Sequence, residues 1–481
     1  MRSGMRPVTM PFLPGEGVAR ELLGATLVAA AFLLVFAVAE GWRRRAGPPV
    51  EWSRKLIHIC GGVVAGLFPW LFATHWTVFA LGLGLVLALR ATRARGWLNA
   101  LHAVERDTKG EFYYPLGVYL LFVVARQEPL FYLIALGALV LADSAAALLG
   151  QRYGRVVFTA GNEVKSLEGS VVFFFVAFLG VHLPLSLLTD LPPAATVLVG
   201  VQVALLVTSF EAISQQGNDN LVVPLGTYYL LLKLTSQPVA DIAYQLAVQV
   251  AILILTVLVA RGTRFLTLAG AIALHLVLYA AFSLGNPGWI VAPLLALAGC
   301  IALDAWFGRA SGRPTGGQQV RSVFYLSIVS VLLLFADNTF ATLLPASSLL
   351  PREHPFFAPF AGALGAQVAI MGFQVLRHRD GGTRRAPMDL GLVASAGAFA
   401  LVVPLSVLIG PGPEPGPGPP ALPSLLTGGA LCLLAPPVYL AVRRLVRPPP
   451  GAHWDLRIQA LAVFLTVALV VPIHLAWVAS R

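Results

Sequence analysis

Apolar stretches of about twenty residues, long enough to cross a bilayer core, recur along the whole chain between short polar or charged breaks. We read about sixteen of them as transmembrane helices. They run from 21–40 to 459–478 and include 55–73, 112–125, 129–149 and 221–235. Lipid offers no hydrogen bonds to an open backbone, so each stretch is predicted to be helical. The expected fold is an all-α polytopic bundle.

Charge gives the bundle a direction. With the Arg43, Arg44, Arg45 and Arg54 loop placed inside and the spans alternating from there, 26 of the 33 Lys and Arg residues fall on cytoplasmic segments. Six fall outside, and Lys233 lies within a span. This is the positive-inside asymmetry, and it puts both termini on the non-cytoplasmic side. Composition agrees, with 57% hydrophobic and 11% charged residues against roughly 25% charged for a soluble chain. The net charge of +11 is then a topology signal. No soluble domain gathers it, and no nucleic-acid partner is expected. The expected location is the plasma membrane of a prokaryote. Oligomeric state is silent.

Cys60, Cys300 and Cys432 are far apart and form no zinc or redox pattern. The first apolar run is followed by arginines rather than a small-residue cleavage site, so it reads as a retained span. Loops up to about Arg264 are rich in acids, Asn, Lys and Gly. Later inside loops are mostly Arg, Gly and Pro. This divides the chain into 1–264 and an additional transmembrane domain, 265–481, of unknown role. Gly410 to Pro420 reads as a Pro-rich connector.

Ionisable groups at membrane depth are costly and often functional. Four clusters of them lie on the inner side of the first domain. The first is Glu51, Arg54, Lys55 and His58, in which Glu51–Lys55 and Arg54–His58 each share a helix face. Snorkelling basic anchors and a hydrogen-bonded core histidine are its plain reading. The second is Asp107, Lys109, Gly110 and Glu111 ahead of Pro115, where a first-turn proline suits a helix start and free N–H groups attract phosphate.

The third cluster is the most informative. Asp143 lies about two turns inside the membrane, and Gly150, Gly154 and a loop carrying Lys165, Ser166, Glu168 and Gly169 follow it. Hard carboxylate oxygens suit Mg²⁺, lysine offers phosphate a point charge, and Ser166 suits a helix cap. The fourth runs from Glu211 through Ser214 to Asp219, Asn220 and Pro224, with no Lys or Arg in its loop. A divalent cation would balance its acids, although Asp219 or Asn220 could equally cap a helix. Glu111 to Tyr119 and Asn220 to Tyr228 share a Pro-Leu-Gly-x-Tyr pattern, a weak internal repeat of the kind transporters carry. No P-loop or dinucleotide fingerprint occurs. His378-Arg379-Asp380 lacks the other protein-kinase motifs and reads as chance.

Over roughly 40–260 the chain resembles the CTP-dependent polyprenol kinases, the dolichol and phytol kinases, and more distantly the phosphatidate cytidylyltransferases. Asp143, Gly150, Gly154, Lys165, Ser166, Glu168 and Gly169 follow one family pattern. Glu211, Asp219, Asn220 and Pro224 follow a second, and Arg54, Lys55 and His58 a third. Ala142 stands where the family often has Gly. The resemblance implies transfer of the γ-phosphate of CTP, with Mg²⁺ or another divalent cation, to a long-chain isoprenoid alcohol in the bilayer. By that analogy Asp143, Lys165, Glu211 and Asp219 are catalytic, and Asp143, Asp219 and Glu211 hold metal. Arg54, Lys55, His58, Gly150, Gly154, Lys165, Ser166, Glu168, Gly169 and Asn220 contact nucleotide, with Glu111, Pro115 and Pro224 as accessory positions. Such chemistry rests on positioning and charge neutralisation. A CDP-lipid-forming cytidylyltransferase and a membrane transporter are the alternatives. In the second domain, Asp337 and His275 read as satisfied buried polar groups.

Overall fold

The computed structural model describes residues 17–97, 109–311, 318–343, 354–380, 386–410, 421–446 and 452–479. Asp107 and the connector residues 411–420 lie outside these. Two compact units, Met1–Ala247 and Val248–Arg481, divide within one helix.

The first unit contains α1 (Val18–Ala46), α2 (Val50–Gly66), the one-turn α3 (Phe68–Leu71), α4 (His75–Ala94) and α5 (Gly110–Ala125). Then come α6 (Pro129–Tyr153), α7 (Leu167–Leu188), α8 (Pro193–Ile213), α9 (Asp219–Leu234) and the start of α10 (Val239–Thr263). Local chemistry sets the boundaries. α1 ends where Gly47 turns left-handed at φ 58° and returns its N–H to Arg43 O, with Arg43, Arg44 and Arg45 on the negative end of the helix dipole. Pro48 and Pro49 then prevent continuation.

Helix α7 starts at Ser166, whose hydroxyl accepts from Gly169 N at 3.1 Å, the cap expected of that serine. Helix α5 starts at Gly110, two residues before the expected span. Pro115 therefore lies in the second turn rather than the first, and its missing N–H leaves the Glu111 carbonyl without a helical donor. Pro224 does the same to Asn220 in α9.

Thirteen described helices are long and apolar enough to span a membrane. The other three expected spans, α2, α5 and α9, have only 17, 16 and 16 residues. The helices turn apolar side chains such as Leu33, Leu87, Phe175 and Leu183 outward, as a lipid-facing surface requires. Leu121, Phe122, Tyr132, Phe173 and Leu231 fill the interior. Among the described residues the elements are helical apart from one hairpin. Between α6 and α7 the chain forms an antiparallel hairpin, β1 (Val157–Ala160) and β2 (Glu163–Ser166), which pairs Ala160 with Glu163, so the first part of the expected Lys165 loop is a strand. Gly161 at φ 64° and Asn162 form its two-residue turn, of the class that matches strand twist.

The second unit continues with α11 (Leu268–Gly285), α12 (Val291–Ser311), α13 (Val320–Leu343), α14 (Phe357–Arg379), α15 (Pro387–Ile409), α16 (Ala421–Val446) and α17 (Ala452–Ala479). Helix α14 is its centre: it is buried along most of its length, and α12, α13, α15, α16 and α17 all pack on it. Small residues such as Ala358, Gly362, Gly365 and Ala369 permit that close approach. Asp337 is a satisfied structural group, accepting from Phe356 N at 3.0 Å and pairing with His354 at 2.7 Å. His275 departs from expectation, because it is buried with neither ring nitrogen hydrogen-bonded. The three cysteines are free thiols.

Candidate active site

Helix α6 positions the acid of the third cluster, Asp143. Residues Ala138–Ala142 form a π turn directly before Asp143. Such turns widen the helix by one residue and recur at functional sites. Here the Leu139 carbonyl accepts from His58 Nε2 at 3.2 Å, and the same imidazole nitrogen lies 3.5 Å from Asp143 Oδ2. Lys55 Nζ reaches that carboxylate at 2.5 Å. Lys55 is 3% exposed. It is a buried partner of Asp143 rather than a snorkelling anchor. Arg54 pairs with Glu51 one turn back, at 2.5 Å, and its charge also acts on Asp143 and Asp219. Tyr114 lies against the His58 ring, with centroids 4.6 Å apart.

The hairpin positions the second cation. Strand β2 carries Lys165 to the end of α8, where its ammonium donates to Glu211 Oε1 and Ser214 Oγ, each at 2.7 Å, and to the Glu211 carbonyl. Three acceptors match the three N–H bonds of an ammonium. Burial by itself would lower the Lys165 ammonium, but the Glu211, Asp219 and Glu163 carboxylates reverse this and hold it above its ordinary value.

The loop from Ser214 to Asn218 is held by several anchors. Its left-handed residues are Gln216 at φ 56° and Gly217 at φ 82°. Glu163 Oε1 accepts from Gln216 N at 2.6 Å, Gln216 O accepts from Lys109 N at 3.0 Å, and Asn220 Nδ2 donates to Gly217 O at 2.9 Å. Asn218 Oδ1 accepts from Gln215 N at 2.9 Å.

The loop delivers Asp219 to the first position of α9, where no side chain caps the helix. Asp219 Oδ1 is buried without a hydrogen-bond partner. The carboxylate feels the charges of Asp143, Lys165, Glu211 and Lys55, so the first, third and fourth sequence clusters converge on it. Asp143, Glu211 and Asp219 do not form a ready-made cage: among the described residues, no three His, Cys, Asp or Glu side chains are grouped to hold a metal.

A stretch of 230 residues is 33% identical to the phytol kinase of a Synechocystis species, covering 46% of this chain and 91% of that protein. The chain belongs to the phytol kinase family. A probable chloroplastic phytol kinase 1 of Glycine max is 31% identical over 251 residues, 45% of this chain and 78% of its own. No family model and no solved structure matches.

In this phytol kinase family member the glycines of the third cluster pack the α6–α7 junction. Helix α6 runs through Gly150 to Tyr153, so Gly150 is helical rather than part of a loop. A Cβ on Gly154 would lie 2.4 Å from Gly150 O and 2.7 Å from Ser166 Cβ. A Cβ on Gly169 would meet Ser166 Oγ at 3.0 Å and Ala146 O at 3.2 Å. Glu168 accepts from Val156 N at 3.2 Å, tying the hairpin base to α7. Glu111 lies 3.7 Å from Arg93.

The two Pro-Leu-Gly-x-Tyr helices, α5 and α9, pack on each other so tightly that a Cβ on Gly117 would lie 2.1 Å from Asn220 O. Their glycines are not equivalent, since Gly226 faces Phe210. Sequence reading missed Glu163, Gln216 and the hairpin. Gly161-Asn162 between two β-prone tetrapeptides was the available signal.

Proposed function

We propose that the first unit is a CTP-dependent kinase that phosphorylates a long-chain isoprenoid alcohol, with its site facing the cytoplasm. The buried, unpartnered Asp219 oxygen between two lysine–carboxylate pairs carries this reading. An orphaned carboxylate oxygen at membrane depth costs free energy unless a ligand satisfies it. Lys55 and Lys165 already neutralise Asp143 and Glu211, so an incoming triphosphate would exchange these lysines onto its own oxygens and leave the acids to a cation. Hard oxygens from Asp143, Asp219, Glu211 and Ser214 fit Mg²⁺, which typically takes one or two carboxylates together with substrate phosphate. When bound, the metal would neutralise phosphate charge.

Lys55 and Lys165 would hold the phosphates, and Arg54 and His58 would add positive or hydrogen-bonding contact around them. The alcohol oxygen bonds to the γ-phosphorus as the bridging bond to the β-phosphate breaks. CDP leaves, and the hydroxyl proton passes to the buried carboxylates. Catalysis of this kind is mainly positioning and charge neutralisation. Phytol is the first alcohol to try, given the names of the relatives, and dolichol the second.

Purified full-length protein is incubated with an isoprenoid alcohol panel and CTP labelled at the α or the γ position. Label from the γ position should enter the lipid, and Asp143→Asn and Asp219→Asn should each abolish it. Label from the α position would assign a cytidylyltransferase instead. No labelling with any alcohol would favour a transporter.

A further inference from the structure

The second unit has a cavity of about 920 Å³ at one end of its helices. It is lined where α14 and α16 finish, near the end of α12 and at the start of α17. Arg377, His378, Arg443 and Arg444 stand at it as exposed side chains, and the carboxylates Asp304 and Asp455 line it as well, so its basic groups outnumber its acids. Arg377 and Arg444 make no hydrogen bond or ion pair among the described residues. Met371, Phe373, Val375 and Leu440 give the same cavity an apolar wall.

Its floor is an ordered polar chain. Gln459 Nε2 donates to Gln374 Oε1 at 3.0 Å, and Gln374 Nε2 donates to Tyr439 Oη at 2.7 Å. Tyr439 is fully buried and donates to Asp455 Oδ1 at 3.1 Å, while Arg443 donates to Tyr439 Oη at 3.1 Å. Asp455 is thereby occupied by its neighbours.

We propose that this cavity binds the phosphate headgroup of a lipid, with Arg377 and Arg444 as its primary contacts. Arginines serving only topology need no cavity. These two stand beside one, uncommitted, next to apolar side chains that continue into the span. A guanidinium fork matches phosphate oxygens, and the apolar wall suits the first carbons of a chain. Basic pockets at the ends of transmembrane helices are the usual setting for anionic headgroups. The ligand class is therefore a phosphate-headed amphiphile, not a free anion. The cavity argument does not depend on the kinase reading. Only the choice of an isoprenyl monophosphate as one probe does.

The test uses full-length protein in detergent micelles, titrated with phytyl monophosphate, dioleoyl phosphatidic acid, phytol and inorganic phosphate, with binding read by microscale thermophoresis. At least one of the two lipid phosphates should bind the wild type and Asp143→Asn alike. It should bind Arg377→Gln/Arg444→Gln at least about tenfold more weakly, the loss of one charge-assisted contact. Which of the two binds names the source of the headgroup. Leu440→Trp, which fills the apolar wall and leaves every charge, should weaken lipid phosphate binding too and covers the case where the double variant fails to fold. The proposal is overturned if phytol binds as tightly as the lipid phosphates. It is also overturned if inorganic phosphate matches them, or if Leu440→Trp and the arginine variant both bind like wild type.

Discussion

Lys55→Met removes one charge from the interior and little volume. Lys55 is 3% exposed, its ammonium lies 2.5 Å from Asp143 Oδ2, and the Asp143 side chain is 18% exposed. Without Lys55 the carboxylate keeps only the imidazole at 3.5 Å and the more distant Arg54. Removing one partner of a buried ion pair costs about 3–5 kcal/mol, because the other charge is stranded. At roughly 2–4 °C per kcal/mol for a unit of this size, the unfolding midpoint should fall by about 6–20 °C. Residual exposure of Asp143 favours the lower part of that range. Asp143→Asn removes the stranded charge, so Lys55→Met/Asp143→Asn should be more stable than Lys55→Met alone. The assay is thermal unfolding of wild type, both single variants and the double variant in one detergent, followed by tryptophan fluorescence. If the double variant loses the sum of the two single losses to within about 0.5 kcal/mol, the residues are not coupled and the pair is wrong.

Two further expectations use the same measurement. Gly154→Ala should cost about 1–3 kcal/mol by overpacking the α6–α7 junction, whereas Gly84→Ala, with nothing within 4 Å of the added carbon, should be neutral or stabilising; equal midpoints would refute the packing role. The Lys165 ammonium, held above its ordinary 10.5 by carboxylates that outweigh burial, contributes stability that is complete at neutral pH and lost only as pH rises past its folded value. The penalty of Lys165→Met should therefore be the same at pH 6 and pH 9, and a penalty that fades by pH 9 would contradict the pairing.

The helices were legible because a twenty-residue apolar run has few alternatives in lipid. The charged clusters were legible because ionisable residues stand out against such a background. Their pairing was not. Lys55 and Asp143 are 88 positions apart, and Lys165 and Glu211 are 46 apart. Nothing local says that Lys55 turns to Asp143 while Arg54 keeps Glu51. The π turn at Ala138–Ala142 was invisible for another reason: its residues are as apolar as the helix around them, so periodicity carries no mark of one extra residue per turn. Gly150 was misplaced because a glycine followed by polar residues looks like a helix end. Packing against Gly169 and Ser166 instead keeps α6 helical to Tyr153.

The three helices that fall short of a full span all reach the site, beside the full-length α6 and α8 that carry Asp143 and Glu211. At 1.5 Å per residue, α2, α5 and α9 rise about 24–26 Å, against about 30 Å for a hydrocarbon core. All three start at the cluster: Asp219 opens α9, Lys109 before α5 is tied to Gln216, and Lys55 lies in the second turn of α2. The Ser214–Asn218 loop joins the starts of α5 and α9, and the hairpin is tied to it through Glu163. Irregular backbone next to apolar spans needs partners within the protein, and here Glu163, Lys109 and Asn220 supply them. On the kinase reading this arrangement answers a geometric problem. An isoprenoid hydroxyl stays near the apolar boundary and a triphosphate stays in water. A site at the starts of these helices, holding Lys55 and Lys165, would let the phosphate meet the alcohol there rather than requiring the lipid to leave the bilayer.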